Sequence, residues 1–307
     1  MNTQAVRTTA REGLWRLADP TMTLAPAAGL VLGAALAADA GALAWPWLLV
    51  TAVGVLSFEL AKNASGEVFD FDSGADPGVA DSDRTPFSGG RRVIVDGLLT
   101  RRQAVRVARI FYAFGVAVGL VIVWGRDPGV LWLGLAGIVL AYGAHAPPLQ
   151  LAYRGLGELA AAIAYGPLIV GGTVLVQHGD IPAEAGWASV PLGVLVAALV
   201  WIDGFPDAEA DRAAGKRTPV VRLGKAVASR AFAGLVLLAW VLVAALPLFG
   251  ADRGLWLGVA GLPHALLACG RLLSSPDDTA ALVPAQAWTL LSVCLFALGA
   301  SIGVLLT

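Results

Sequence analysis

The chain has 307 residues, of which 57% are hydrophobic and only 14% charged; a soluble domain of this size carries about 25% charged residues. That composition excludes an ordinary soluble globular protein and points to a chain solvated by a bilayer. A formal net charge of −1 offers no basic excess to a nucleic acid, so no nucleic-acid partner is expected.

The first twenty residues carry Arg7, Arg11 and Arg16 and have no apolar core of their own. They read as a polar cytoplasmic arm rather than a cleaved signal peptide. Nine stretches then approach the roughly 20 apolar residues a span requires: 22–41, 44–66, 104–125, 128–146, 156–177, 185–205, 227–249, 254–273 and 284–306. The fourth is the shortest. The chain is predicted to be an all-α, polytopic membrane protein, one embedded domain over 1–307. Cys269 and Cys294 lie in apolar segments without a CxxC spacing and read as inert.

Placing the N-terminus in the cytoplasm leaves only Arg126 and Arg253 on the outer side. All other lysines and arginines fall in or beside inner segments, as the positive-inside rule requires. Nine spans then put the C-terminus outside.

Two inner loops stand out, after the second and the sixth spans. The later one reads "DGFPDAEADRAAGKRTPVVRLG". Asp203, Asp207 and Asp211 are spaced four and four, so a helix stacks them on one face. Like charges at that spacing repel unless a cation bridges them. Mg²⁺ suits the role, since it takes one or two carboxylates and completes its shell with water and phosphate oxygens. The plainer reading is a solvated helix end. Against it stand Arg212, Lys216 and Arg217, placed to meet a phosphate.

The earlier loop reads "NASGEVFDFDSGAD" followed by "DSDRTPFSGGRRVIVDGLL". Asn63, Glu67 and Asp70 share a helical face, Asp72 points away from it, and "SGAD" is expected to end the helix before Asp76. Arg84, Arg91 and Arg92 follow among turn-forming residues. Two acidic clusters facing two basic loops on one side of the membrane suit a polyanion held through Mg²⁺. A diphosphate with a long apolar tail would use both the metal site and the lipid-like interior.

Three stretches carry a family resemblance that covers nearly the whole chain: "VFDFDSGAD…DRTPFSGG", "APPLQLAYRGLGELAAAIAYGPLIVGG" and "DAEADRAAGKRTPVVRLG". They resemble the UbiA superfamily of intramembrane prenyltransferases, most of all its 1,4-dihydroxy-2-naphthoate polyprenyltransferase (MenA-like) branch in menaquinone synthesis. The resemblance implies nine helices around a central cavity open to lipid. It implies Mg²⁺-dependent transfer of a prenyl group from a prenyl diphosphate to a small aromatic acceptor. The family's first motif places acids on Asp70 and Asp76, with Gly66 and Glu67 where relatives have Asn and Asp. Asn63, one turn earlier, is the residue placed to supply the lost amide. The second motif falls on Asp207 and Asp211, with Asp203 where relatives often have Asn. The implied metal set is Glu67, Asp70, Asp76, Asp203, Asp207 and Asp211.

In the implied reaction Arg84, Arg91, Arg154, Lys216 and Arg217 are candidates to hold the leaving diphosphate. Tyr142, Tyr153 and Tyr165 are candidates to face the allylic cation, or else to be belt tyrosines. His145 reads as a helix-end histidine bonded to a backbone carbonyl, with general base as the alternative. Glu158 is expected to pair with Arg154, four residues away. Glu59 stands out as an intramembrane charge to be tested as a cavity group. Two other readings stay open. One is a terpene cyclase on the same scaffold, kept open by the altered first motif. The other is a transporter or lipid-binding membrane protein, disfavoured because the acids gather at one membrane face and not at mid-depth.

Overall fold

The structure is a computed structural model that describes residues 3–307, with side chains from Ala10 onward. Arg7 of the N-terminal arm lies outside the described side chains. Among the described residues ten main helices order the chain, besides the short helices Ala75–Gly78 and Pro219–Leu223: α1 (Thr3–Ala18), α2 (Leu24–Asp39), α3 (Trp45–Ser73), α4 (Arg101–Gly125), α5 (Val130–Gly143), α6 (Gly157–His178), α7 (Ala183–Ala213), α8 (Lys225–Phe249), α9 (Arg253–Ser274) and α10 (Thr279–Leu306). Seven of them, α3, α4 and α6 to α10, are long and apolar enough to cross a membrane, while α2 and α5 are apolar but shorter. With 14 residues, α5 reaches about 21 Å, less than a hydrocarbon core of roughly 30 Å.

Each of the nine predicted stretches falls on one of these helices, but two extend further. α3 runs to Ser73, seven residues past the predicted 66, and α7 runs to Ala213, eight past 205. Hydropathy drops where the carboxylates begin, yet the backbone stays helical until something stops it. In α3 the stop is Gly74, whose φ of 84° is a left-handed cap open to glycine at no steric cost. The acids are therefore carried on rigid extensions of spanning helices.

The N-terminal arm, whose sequence showed only a polar character, is helical from Thr3 to Ala18. Leu17 is fully buried, and Arg16 donates to Glu12 at 2.8 Å and to Asp96 at 2.7 Å. α1 thereby ties down the loop that follows α3.

α7 runs through the middle of the core, with Leu192, Leu195, Leu199, Ile202 and Phe205 fully buried or nearly so. Small residues let neighbours approach, as they do in lipid. A Cβ added to Gly166 of α6 would lie 2.6 Å from the Ser189 carbonyl and 2.9 Å from Gly193 Cα of α7. At this crossing α6 contains one π-helical stretch, Ala164–Leu168, around Pro167. Large side chains such as Trp124, Trp132 and Leu248 project outward, 82%, 71% and 85% exposed, as a lipid-facing surface allows.

Candidate active site

A cavity of about 840 Å³ opens inside the bundle. Apolar side chains of α3, α5, α6 and α7, among them Phe58, Leu133, Leu168 and Leu199, form its deep wall. The acids at the ends of α3 and α7 form its mouth, and the 75–92 loop and the start of α2 close one side.

The two acidic clusters meet at Lys216. Its ammonium lies 3.0 Å from Asp70 Oδ1 and 3.3 Å from Asp211 Oδ1. It also stands over the Tyr153 ring, 5.0 Å from the centroid. Burial alone pulls this lysine down, and the Asp70 and Asp211 carboxylates overcome it, holding the ammonium well above the usual lysine range. Tyr153 donates its hydroxyl to Asp70 Oδ1 at 2.8 Å, so it fixes the carboxylate's orientation.

Along α3, Glu67 Oε1 accepts the Ile94 N–H at 3.0 Å, and Asn63 donates to the Leu17 carbonyl at 3.0 Å. Asp76, in the turn beyond Gly74, is buried against Gly90. A Cβ at Gly90, whose φ is 70°, would collide with the Asp76 carboxylate. Burial, with the Asp70 and Glu67 charges adding to it, pushes the Asp76 carboxyl up to about 8. On α7, Asp207 Oδ2 accepts the Gly89 N–H at 3.1 Å, and Asp203 Oδ1 accepts from Gln286 at 3.1 Å.

The UbiA prenyltransferase family model matches residues 27–291. The chain belongs to the UbiA prenyltransferase family. It is a family enzyme and a multi-pass membrane protein. It is 30% identical over 233 residues to a 1,4-dihydroxy-2-naphthoate octaprenyltransferase from Mycobacterium tuberculosis, covering 75% of each chain. It is 32% identical over 184 residues to a 2-carboxy-1,4-naphthoquinone phytyltransferase from Synechocystis, a match spanning 59% of this chain and 55% of that relative. A UbiA homolog from Archaeoglobus fulgidus, solved bound to GPP and Mg2+, shares the fold with a TM-score of 0.59. That comparison has 16% identity and covers 96% of this chain and all of the homolog.

Within this UbiA-type bundle, the cavity takes in Asn63, Glu67, Asp70, Asp76, Asp203, Asp207, Asp211, Lys216 and Tyr165 of the predicted residues, with Arg84 and Arg91 on the loop side. Arg84 pairs with Asp81 at 3.2 Å and Asp96 at 3.4 Å, and Arg91 pairs with Asp19 at 3.0 Å.

Five expectations need correction. Arg154 is exposed and donates to the Pro148 carbonyl at 2.8 Å, away from the cavity. Its predicted partner Glu158 turns into the cavity instead, because a left-handed Gly155 separates the two and they do not share a helix. Arg217 is exposed and does not line the cavity. Tyr142 is 47% exposed and packs edge-on against Phe69 and Tyr112 on the outer side of α3. His145 is not bonded to a carbonyl: its ring lies over Gly66 in the cavity wall, with Nε2 3.7 Å from Asp70 Oδ2.

The oxygens at this mouth have capacity to spare. Glu67 Oε2, Asp207 Oδ1 and Asn63 Oδ1 are buried with no hydrogen-bond partner. Unspent buried oxygens cost free energy unless a ligand satisfies them, and an all-oxygen set suits Mg²⁺. Among the described residues no three carboxylates, imidazoles or thiols converge at metal-binding distance. Phosphate and water oxygens complete a Mg²⁺ shell begun by one or two carboxylates, so the donor set fits the ion.

Proposed function

We propose that the chain transfers a prenyl group from an allylic prenyl diphosphate to a small aromatic acceptor of the 1,4-dihydroxy-2-naphthoate type, as a single membrane-embedded unit. The observation that carries this reading is the junction of two acidic helix ends at Lys216, over a large apolar cavity. The names of the Mycobacterium and Synechocystis relatives support the acceptor class, and the ligands of the Archaeoglobus homolog support the donor and the metal. In this reading α2 and α5 cross with the seven longer helices, giving nine spans. The N-terminus and both acidic loops are cytoplasmic and the C-terminus is outside, which the confinement of Arg126 and Arg253 to the opposite end supports.

Glu67, Asp70 and Asp76 from one side and Asp203, Asp207 and Asp211 from the other would hold Mg²⁺ against the diphosphate. The ion neutralises charge that builds on the leaving diphosphate. Lys216, with Arg84 and Arg91 on the loop side, supplies fixed positive charge to the same oxygens. The bond that breaks joins the allylic carbon to the diphosphate oxygen, and its electron pair leaves with that oxygen. The apolar wall excludes water from the allylic cation. The electron-rich ring carbon attacks it and then loses its proton to an oxygen of the released diphosphate. Asp70 is kept in place by Tyr153 and Lys216 throughout.

The test is product analysis by mass spectrometry with purified protein, Mg²⁺, geranyl diphosphate and a dihydroxynaphthoate. A prenylated naphthoate is expected. Release of diphosphate with a cyclised hydrocarbon, independent of the acceptor, would establish the cyclase instead, and no release in any combination would remove both.

A further inference from the structure

Deep in the cavity, Glu59, Lys62 and Tyr165 close a ring of hydrogen bonds. Lys62 Nζ donates to Glu59 Oε1 at 2.8 Å and to Tyr165 Oη at 2.6 Å, while Tyr165 donates to Glu59 Oε2 at 2.6 Å. Glu59 and Tyr165 are buried, and the Lys62 side chain keeps 23% of its surface. All three line the cavity. The diphosphate chemistry above uses none of this ring.

A buried ion pair is a poor way to stabilise a fold, because desolvation consumes most of the attraction. Within a membrane span such a pair is a functional feature by default. Its valences show what it offers. An ammonium has three donors and no acceptor, and two of Lys62's are spent inside the ring. Each Glu59 oxygen already accepts a bond, and Tyr165's one proton is used. Of the ring's donor protons one is left, a positively charged N–H on the member that keeps the most open surface. A lysine tethered in this way is also preorganised, so little side-chain entropy is lost when it binds.

Position narrows the ligand. Lys62 precedes Asp70 by eight residues on the continuous α3, about 12 Å along the axis. A ring whose reacting carbon lies beneath the diphosphate would extend its far substituents toward that N–H.

We infer that Lys62 is the anion-binding residue of the acceptor subsite, taking a ring carboxylate, with Glu59 and Tyr165 as positioning residues. This rests on the prenyl-transfer reading and adds the acceptor group that is recognised and the side chain that recognises it.

The test is equilibrium binding to the purified full chain. 1-Hydroxy-2-naphthoate is compared with 1-naphthol, which lacks the carboxylate, and with decanoate, which lacks the ring. Wild type should bind the naphthoate about ten- to a hundredfold more tightly than the naphthol, the range of a charged hydrogen bond. Lys62→Met should abolish that preference and Lys62→Arg should keep it. Affinity for geranyl diphosphate should stay the same in both. Because Lys62→Met strands a buried carboxylate, the neutral pair Glu59→Gln with Lys62→Met serves as the folded control and should also lose the preference. A preference that survives in both neutral variants, or that wild type lacks, overturns the inference. So does decanoate binding as tightly as the naphthoate, or a Lys62→Met loss confined to geranyl diphosphate. Wild type that prefers the naphthoate through Lys62 but forms no prenylated product would leave the subsite standing and remove the transfer reaction.

Discussion

The ends of α3 and α7 bring carboxylates to the same cavity mouth by different constructions. α7 continues as one helix through Asp203, Asp207 and Asp211, so three acids stack on a rigid rod. α3 stops at Ser73, and its cluster is completed by Asp76 beyond the Gly74 cap and by loop groups packed against it. The α7 set is therefore specified by helical spacing alone. The α3 set depends on a loop whose geometry is fixed by left-handed glycines and by α1. Lys216, just past the end of α7, joins the two.

Removing the junction should have the largest effect. Lys216→Met leaves Asp70 and Asp211 facing each other without their cation. Turnover should fall about a hundred- to a thousandfold, and melting in detergent should drop, since an unpaired buried charge is costly. A variant with near-normal turnover would show that the two clusters work independently.

Asp207→Asn tests the α7 rod. It keeps the side-chain volume and the Gly89 contact but loses the charge. Activity should fall by about two orders of magnitude while insertion, purification and melting stay normal. Preserved activity would remove the α7 stack from the metal site.

Gly66→Asn tests the less regular α3 side. A family-like side chain at 66 would restore an amide, but its Cβ would sit 3.1 Å from His145 Cε1 and 3.2 Å from its Nδ1. The expected outcome is destabilisation of about 1–3 kcal/mol from overpacking, with His145→Ala in the same chain recovering most of it. Equal melting of the Gly66→Asn single variant and wild type would show that the imidazole moves aside freely.

The loop's contribution shows in pH. The Asp76 carboxyl is held up to about 8 by burial and by its acidic neighbours, whereas an unfolded aspartate ionises near 4. Its stabilising contribution is complete below about pH 4 and is lost as pH rises through about 8. In chelator, Asp76→Asn should melt progressively higher than wild type between about pH 4 and pH 9. A pH-independent difference would mean that Asp76 is not protonated in the metal-free fold.

Asp72→Ala should have the smallest effect. Asp72 pairs with Arg101 at 2.6 Å on the exposed side of α3, a bridge worth about 0–1 kcal/mol. Turnover should stay within about twofold, whereas Asp70→Ala should be inactive. Equal losses would break the facing argument for α3.

These contrasts also show what the sequence could and could not display. The nine apolar stretches and the α7 acids were legible because both depend on spacing along one helix. Asp70 and Asp72 were told apart for the same reason. His145 was misread because its role depends on a glycine seventy-nine residues earlier that leaves room for its ring. Arg154 was misplaced because a short polar turn gives no indication of which way it will face, and Tyr142 because α5 is apolar all round and its pattern does not mark the cavity side. The Lys62 ring was missed for a related reason. Its third member, Tyr165, comes from a different helix, and no pattern within α3 announces a partner 103 residues away.

That partner lies in the π-helical stretch Ala164–Leu168. A π turn holds one more residue than an α turn, so everything after it is rotated by about 100° from where a regular helix would put it. α6 is thus two helical wheels with a phase slip between them. The half before the slip packs on α7, and the half after it on α2. Plotted as a single wheel the helix blurs, and its apolar faces look continuous when they are offset. For anyone exchanging segments between relatives, the slip sets the joint: a graft cut outside 164–168 carries its phase with it, while a one-residue deletion inside would turn Tyr165 or everything beyond it away from its present neighbours.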